Sequence, residues 1–268
     1  MNCRICDNTK LTEVLNLGHH PPSDAFLTKD QLSQPEIHYP LSLYHCPRCG
    51  LGQLSYVVPK EVLFNEKYPY QTGQNEGGRI HFKGLADSVV SKYGLKHGSL
   101  VVDIGGNDGT LLSYFKEHGC EIFNVEPSGV AEISINKGIP TAYEFWDRDL
   151  AKAIYSTGGF AKVIVATNVF AHVDDLHGFM KGVDIMLAED GVFIVEAPSF
   201  SSLISFGEWD TIYHEHLSYL DYDSMKYLMA MYNMTVSDLE QLDVHGGTNR
   251  YYVTRLSAAS QSEQKKAA

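Results

Sequence analysis

The chain has 268 residues, 44% of them hydrophobic, and a formal net charge of −12. That length buries a real core in one large domain, or in a large and a small one, and is long enough for an enzyme. The charge opposes binding to a phosphate backbone, no basic cluster overrides it, and no apolar run approaches the ~20 residues needed to cross a bilayer.

The start, MNCRICDNTK, lacks the apolar segment of a secretory signal, so the expected compartment is a reducing cytoplasm without structural disulfides. Four of the five cysteines form two pairs, CRIC (Cys3, Cys6) and CPRC (Cys46, Cys49). A two-residue gap lets both thiolates of a pair face one metal from a tight turn, and two such turns complete a tetrahedral all-sulfur zinc site. A redox role for one pair leaves the other unexplained. With every ligand position filled by sulfur, the metal is structural. The segment between the pairs, with turn elements such as HHPPSD, is expected to form a small zinc-stapled lobe. Cys120 reads as ordinary core.

After NEKYPYQTGQNEGG the pattern becomes alternating strands and helices. GSLVVDIGGNDGTLLSYFKEHG predicts a strand over 99–104, a glycine turn, and a helix from near Asp108. The turn carries Asp103, Gly105, Asn107 and Gly109, a spacing different from the dinucleotide G-x-G-x-x-G. Glycines there let a ligand approach the backbone beside a helix N-terminus. Glu126 ends the next strand about 20 residues on, where an acid can accept from a ribose diol. Turn and acid together point to an adenosine-containing ligand. Strands follow at IPTAY, AKVIVATN (ending at Asn168) and GVFIVEAP, then MTVSDLEQL and TNRYYVTRL with no long helix between them. The pattern supports an open doubly wound sheet with ligands at the carboxyl ends of its strands.

Late in the chain, WDTIYHEHLSY (residues 209–219) crowds Tyr213, His214, Glu215 and His216 together. In a strand Tyr213 and Glu215 would face one way and the two histidines the other; in a helix Tyr213 and His216 would share a side. The spacing is not H-E-x-x-H, which excludes a zinc protease reading.

The paired cysteines, DIGGNDGTLL, NVFAHVDDL, YHEHLSY and HGGTNR occur here in one order. That set resembles the sugar C-methyltransferase family, over residues 3 to about 255. The resemblance implies an α/β fold: a class I methyltransferase core, Rossmann-like with a seven-stranded sheet, preceded by a small four-cysteine zinc-binding domain. It implies boundaries of 1–75 for the zinc-binding domain, 76–256 for the methyltransferase domain and 257–268 for a flexible tail. It also implies S-adenosyl-L-methionine as cofactor beside the structural zinc, and a nucleotide-linked keto-deoxy sugar as substrate. The family's C-terminal domain has no counterpart in this sequence, so a second subunit, a separate protein or a differently shaped acceptor is expected to fill the gap.

A sugar carbon becomes nucleophilic once a base removes a proton next to a ketone. By resemblance that base is His216, with Glu215 and Tyr213 nearby; a histidine, of ordinary pKa ~6.5, accepts a proton near neutrality. Donors for the enolate oxygen are Tyr213, His214, His245 and Asn249. Tyr68 and Tyr70, in KYPY, match a segment that precedes the family's core, and Tyr70 joins the substrate-binding candidates. His172 either faces the ligand or supports the helix start beside Asp174 and Asp175. Phe145 and Trp146 either pack on adenine or serve as core. Two other functions stay open: a partner-binding subunit without catalysis, and a nucleic-acid methyltransferase. The net charge and TNVFAH, in place of an Asn-Pro-Pro-aromatic motif, speak against the second.

Overall fold

Two sheets organise the chain, and one late segment joins them. The computed structural model describes residues 1–244 and 246–257. The first sheet begins with β1 (Thr12–His20), β2 (Tyr39–His45) and β3 (Gly52–Leu54), all antiparallel. A single turn, α1 (Lys60–Leu63), follows, and then the long helix α2 (Glu76–Tyr93), whose N-terminus is capped by Asn75 accepting from the Gly78 amide at 2.6 Å.

The second sheet is built from β4 (Leu100–Ile104), α3 (Thr110–Glu117), β5 (Glu121–Val125), α4 (Ala131–Asn136), β6 (Thr141–Ala142), α5 (Arg148–Gly158), β7 (Ala161–Thr167), α6 (Leu176–Met186) and β8 (Leu187–Pro198). After α7 (Phe200–Phe206), β9 (Ser218–Tyr219) and α8 (Tyr222–Ala230) come β10 (Met234–Leu242) and β11 (Thr248–Arg255). The strand order is β10-β11-β8-β7-β4-β5-β6. β4, β5, β6, β7 and β8 run parallel, and β11 pairs antiparallel with both β8 and β10. The parallel strands read as near-continuous apolar runs because both their faces are covered. α2 and α3 supply Phe82, Leu85, Leu111 and Phe115 to one face; α6 and α8 supply Phe179, Met180, Met225 and Leu228 to the other.

Strand order reverses between β4 and β7, which opens a crevice at their carboxyl ends, the usual ligand position in such sheets. α3 begins at Thr110 rather than near Asp108, because Asn107 (φ 53°) and Gly109 (φ 75°) hold left-handed backbone that cannot continue a helix. The strand expected at IPTAY shrinks to Thr141–Ala142.

β9 leaves the second half of the chain and pairs with β3, completing the first sheet. Phe200, Leu203, Ile212, Leu217 and Tyr219 bury against Leu41, Leu43 and Leu54 of that sheet. The segment carrying Tyr213 to His216 is thus clamped between the cysteine lobe and the larger sheet. Among the described residues no helix is long and apolar enough to cross a membrane.

Candidate active site

The cysteine lobe is closed around a metal-sized centre. The Sγ atoms of Cys3, Cys6, Cys46 and Cys49 lie within 4.8 Å of one another, all buried and none in a disulfide. Cys3 and Cys49 approach to 3.4 Å, and Cys6 and Cys46 to 3.5 Å. A tetrahedron with Zn–S of about 2.3 Å asks for S···S of about 3.8 Å, so the donor set fits zinc. Each knuckle needs a left-handed residue just past its second cysteine, supplied by Asp7 (φ 55°) and Gly50 (φ 80°).

The glycine turn after β4 forms one wall of a cavity of about 730 Å³. A Cβ on Gly105 would lie 2.3 Å from Val169, and one on Gly106 would lie 2.3 Å from Asn124 Oδ1, so both positions require glycine. Glu126 accepts from the amides of Asn107 (3.0 Å) and Ser128 (2.9 Å), which fixes its carboxylate beside the turn. Burial raises the Glu126 pKa, opposed by those donors. Burial also holds Asp103 well above the usual carboxylate range, with Glu126 and then Glu196 adding repulsion. A ligand carrying positive charge relieves that repulsion, and the sulfonium and ammonium of S-adenosylmethionine meet the requirement. Residues 70–73 cross the turn: Asn107 Nδ2 donates to the Tyr70 carbonyl at 3.1 Å, and the Thr72 amide donates to Asn107 Oδ1 at 2.9 Å. Glu126→Ala is expected to weaken S-adenosylhomocysteine binding at least tenfold, checked by calorimetry, since a charged acceptor is lost and two amides are orphaned.

The late segment also lines the cavity. The His216 amide donates to the Tyr213 carbonyl at 3.0 Å, a turn that puts both side chains on one side. The Thr211 carbonyl, 3.0 Å from His216 Nδ1, can only accept, so Nδ1 carries the proton. Nε2 is thereby left as the basic nitrogen, and the Tyr213 hydroxyl donates to it at 2.8 Å. The His172 ring lies 5.2 Å from that of His216 and stacks on Phe64 at 5.5 Å. Burial, and secondarily His216, drives His172 well below its ordinary pKa, so it stays neutral.

Glu215 faces the Tyr68 hydroxyl at 3.5 Å, and burial, followed by repulsion from Asp24, pushes its pKa up to about 8. The folded state therefore holds this proton more tightly than the unfolded chain does. Its contribution to stability is complete below the ordinary value of 4.5 and is lost as pH rises toward about 8. Glu215→Gln is expected to raise the melting temperature by several degrees at pH 8.5, about 1–3 kcal/mol, and to leave it unchanged near pH 4.5. Thermal melts at the two pH values check this.

The cavity wall brings together Asp103, Gly105, Asn107, Glu126, Asn168, Tyr70, His172, Tyr213, Glu215 and His216. Three expected site residues are not in it. His214 turns toward the cysteine lobe, its Nε2 3.3 Å from the Tyr39 carbonyl. Gly109 lies under the start of α3, where a Cβ would meet Ile139 at 2.4 Å. Asn249 is buried on β11 and donates to the Tyr251 hydroxyl at 3.0 Å. His245 and the tail from 258 lie outside the described residues. Asp24 and Phe64 line the cavity without having been singled out; Asp24 sits in HHPPSD, which carried only a turn signal.

Strand order, glycine turn and closed thiol cluster define a class I S-adenosylmethionine-dependent methyltransferase fold with an N-terminal zinc-binding domain. S-adenosyl-L-methionine is the cofactor of this fold, and zinc is the metal of the lobe. Residues 80–239 match the methyltransferase domain family and residues 3–64 a zinc binding domain family; the chain belongs to the methyltransferase domain family. It is similar to the C-methyltransferase NovU of Streptomyces niveus, at 32% identity over 249 residues. The match covers 92% of this chain and 59% of NovU, so the chain spans about three-fifths of that relative's length. Magnesium protoporphyrin IX methyltransferase of Synechocystis PCC 6803, solved with S-adenosylhomocysteine, shares the fold at 14% identity and a TM-score of 0.51, over 67% of this chain and 84% of that one. A methyltransferase from Clostridium acetobutylicum ATCC 824 does so at 16% identity and 0.52, over 67% and 92%.

Proposed function

We propose that this chain is a C-methyltransferase that deprotonates a carbon next to the ketone of a nucleotide-linked keto-deoxy sugar, with dTDP as the nucleotide, and methylates that carbon. The observation that carries the reading is the shared cavity, lined both by His216, with its basic Nε2, and by the glycine turn with Gly105, Asn107 and Glu126. The similarity to NovU supports carbon as the methyl acceptor.

In this reading His216 Nε2 takes the proton, while the Thr211 carbonyl holds the ring and stabilises the imidazolium through Nδ1. Tyr213, whose pKa burial raises, stays a phenol; its one hydroxyl proton leaves Nε2 when substrate binds and is donated instead to the developing enolate oxygen, which frees Nε2 to act as the base. Glu215 stays largely protonated near neutrality and serves as a second donor rather than as a charge partner for His216. His172, neutral and stacked on Phe64, keeps a second positive charge away from the base. S-adenosylmethionine, when bound, supplies an electrophilic methyl group that the carbanion takes. The polar wall at Tyr70 is assigned to the sugar nucleotide.

The test is incubation with S-adenosylmethionine and a dTDP-linked keto-deoxy sugar in deuterium oxide. Expected is one new methyl group on carbon next to the ketone, with deuterium entering that position when the cofactor is omitted. A methyl group found on oxygen or nitrogen, or no transfer to any such sugar, overturns the proposal.

A further inference from the structure

We propose that Arg4 is a positioning residue that ties the Cys3–Cys6 metal knuckle to the segment carrying His216. The inference rests on the reading of His216 as the base and extends it to the cysteine lobe.

Arg4 stands between the two cysteines of the first knuckle. Its backbone is held there independently of the side chain: the Arg4 amide donates to Gln53 Oε1 at 2.9 Å, and Gln53 Nε2 donates to the Asn2 carbonyl at 3.0 Å. From that base the guanidinium reaches into the junction of three elements. One terminal nitrogen donates to the carbonyl of Leu54, at the end of β3, at 3.0 Å, and to the carbonyl of Leu217 at 3.1 Å. Leu217 directly follows His216, and its carbonyl also accepts from the Leu54 amide at 3.0 Å. On another side Nε donates to Asp174 Oδ1 at 3.2 Å, two residues past His172.

These contacts differ in weight. Asp174 is largely exposed, so that ion pair is screened and contributes little. The two carbonyl contacts are sheltered and charge-assisted, and one terminal nitrogen makes both, its two N–H bonds held in fixed directions by the guanidinium plane. A lysine ammonium has three donors, but they rotate on a shorter, flexible stem, so it holds the two carbonyls with less fixed geometry. The chain of connections therefore runs from metal to knuckle to guanidinium to the backbone beside the base, with no metal chemistry involved. A second tether, His177 Nε2 with the Ile5 carbonyl at 2.9 Å, keeps the knuckle docked on α6 when the Arg4 side chain is changed. Loss of these two contacts thus frees the late segment without releasing the lobe.

The experiment compares wild type, Arg4→Met and Arg4→Lys, each loaded with zinc and labelled with 15N-histidine. Zinc content and S-adenosylhomocysteine affinity are read beside the His216 ring nitrogen shifts, and kcat is read with the keto-sugar substrate. Expected for Arg4→Met are full zinc, cofactor affinity within about twofold, displaced His216 shifts, and kcat lower by about 10–100-fold, the effect of misplacing a catalytic group by about 1 Å. Arg4→Lys is expected to fall between the other two. Unchanged His216 shifts in a zinc-loaded Arg4→Met protein overturn the inference. If Arg4→Met loses zinc, Arg4→Lys decides by the same shifts. The shifts do not depend on turnover, so a wild type that methylates no keto sugar would overturn the proposed reaction and still leave the Arg4 coupling to be decided.

Discussion

Replacing His216 by alanine is expected to lower methyl transfer by about 10²–10⁴-fold and to abolish deuterium entry into the sugar, while S-adenosylhomocysteine affinity stays within about twofold. In the proposed reaction the size follows from the loss of a positioned base. The selectivity follows from the cavity, whose cofactor turn comes from β4 and β5, far in sequence from the segment that holds His216. His216→Asn sharpens the measurement. Its amide can still donate to the Thr211 carbonyl, as Nδ1 does at 3.0 Å, but nothing stands where Nε2 meets the Tyr213 hydroxyl at 2.8 Å. Both variants should therefore lose exchange alike. An asparagine variant that retains exchange would remove His216 from the proton transfer and shift attention to the Tyr213 phenol.

Removing the metal, by a strong chelator or by Cys46→Ser, is expected to unfold the front lobe. Structural zinc in small domains supplies about 10–16 kcal/mol of apparent binding free energy, comparable to the whole stability of an ordinary domain. Four buried thiols crowded within 4.8 Å have no other partner of that strength. The effect should spread along one path. β9 pairs with β3, and Leu217 and Tyr219 bury against Leu43 and Leu54, so residues 209–219 lose their support together with β2 and β3. One face of the seven-stranded sheet, under α2 and α3, has a core that contains no residue of the lobe, so the sheet should keep its protection although its other face shares a core with the cysteines. Hydrogen exchange followed by fragment mass spectrometry measures this: fast exchange in residues 39–54 and 209–219, with β4, β7 and β8 still protected. Protection of residues 39–54 that is unchanged after complete metal removal would show that the lobe stands without it.

The parts of this protein legible from residue order are those whose cause is local. Two cysteines with a two-residue gap face one centre whatever surrounds them, and the lobe they announce is there. Apolar runs such as LVVDI and VIVAT, short and rich in β-branched residues, read as strands buried on both faces, and the acid about 20 residues past β4 lies beside the glycine turn because one helix and one strand span that distance. The YHEH segment was ambiguous because strand and helix periodicities put different pairs of side chains together, and four residues are too few to choose.

Packing at long range made that choice. A turn puts Tyr213 and His216 on one side, and pairing of β9 with β3 turns the whole segment toward the cavity. The same pairing sends His214 to Tyr39, away from the chemistry. Asp24 and Phe64 reach the site only because the front lobe folds back over the larger sheet, a contact between residues far apart in the chain that no window of sequence contains. Local order thus sets which elements form and which atoms carry the chemistry. Which of those atoms meet depends on the burial of one lobe against another, a free energy that belongs to the assembled surfaces and to no single stretch of residues.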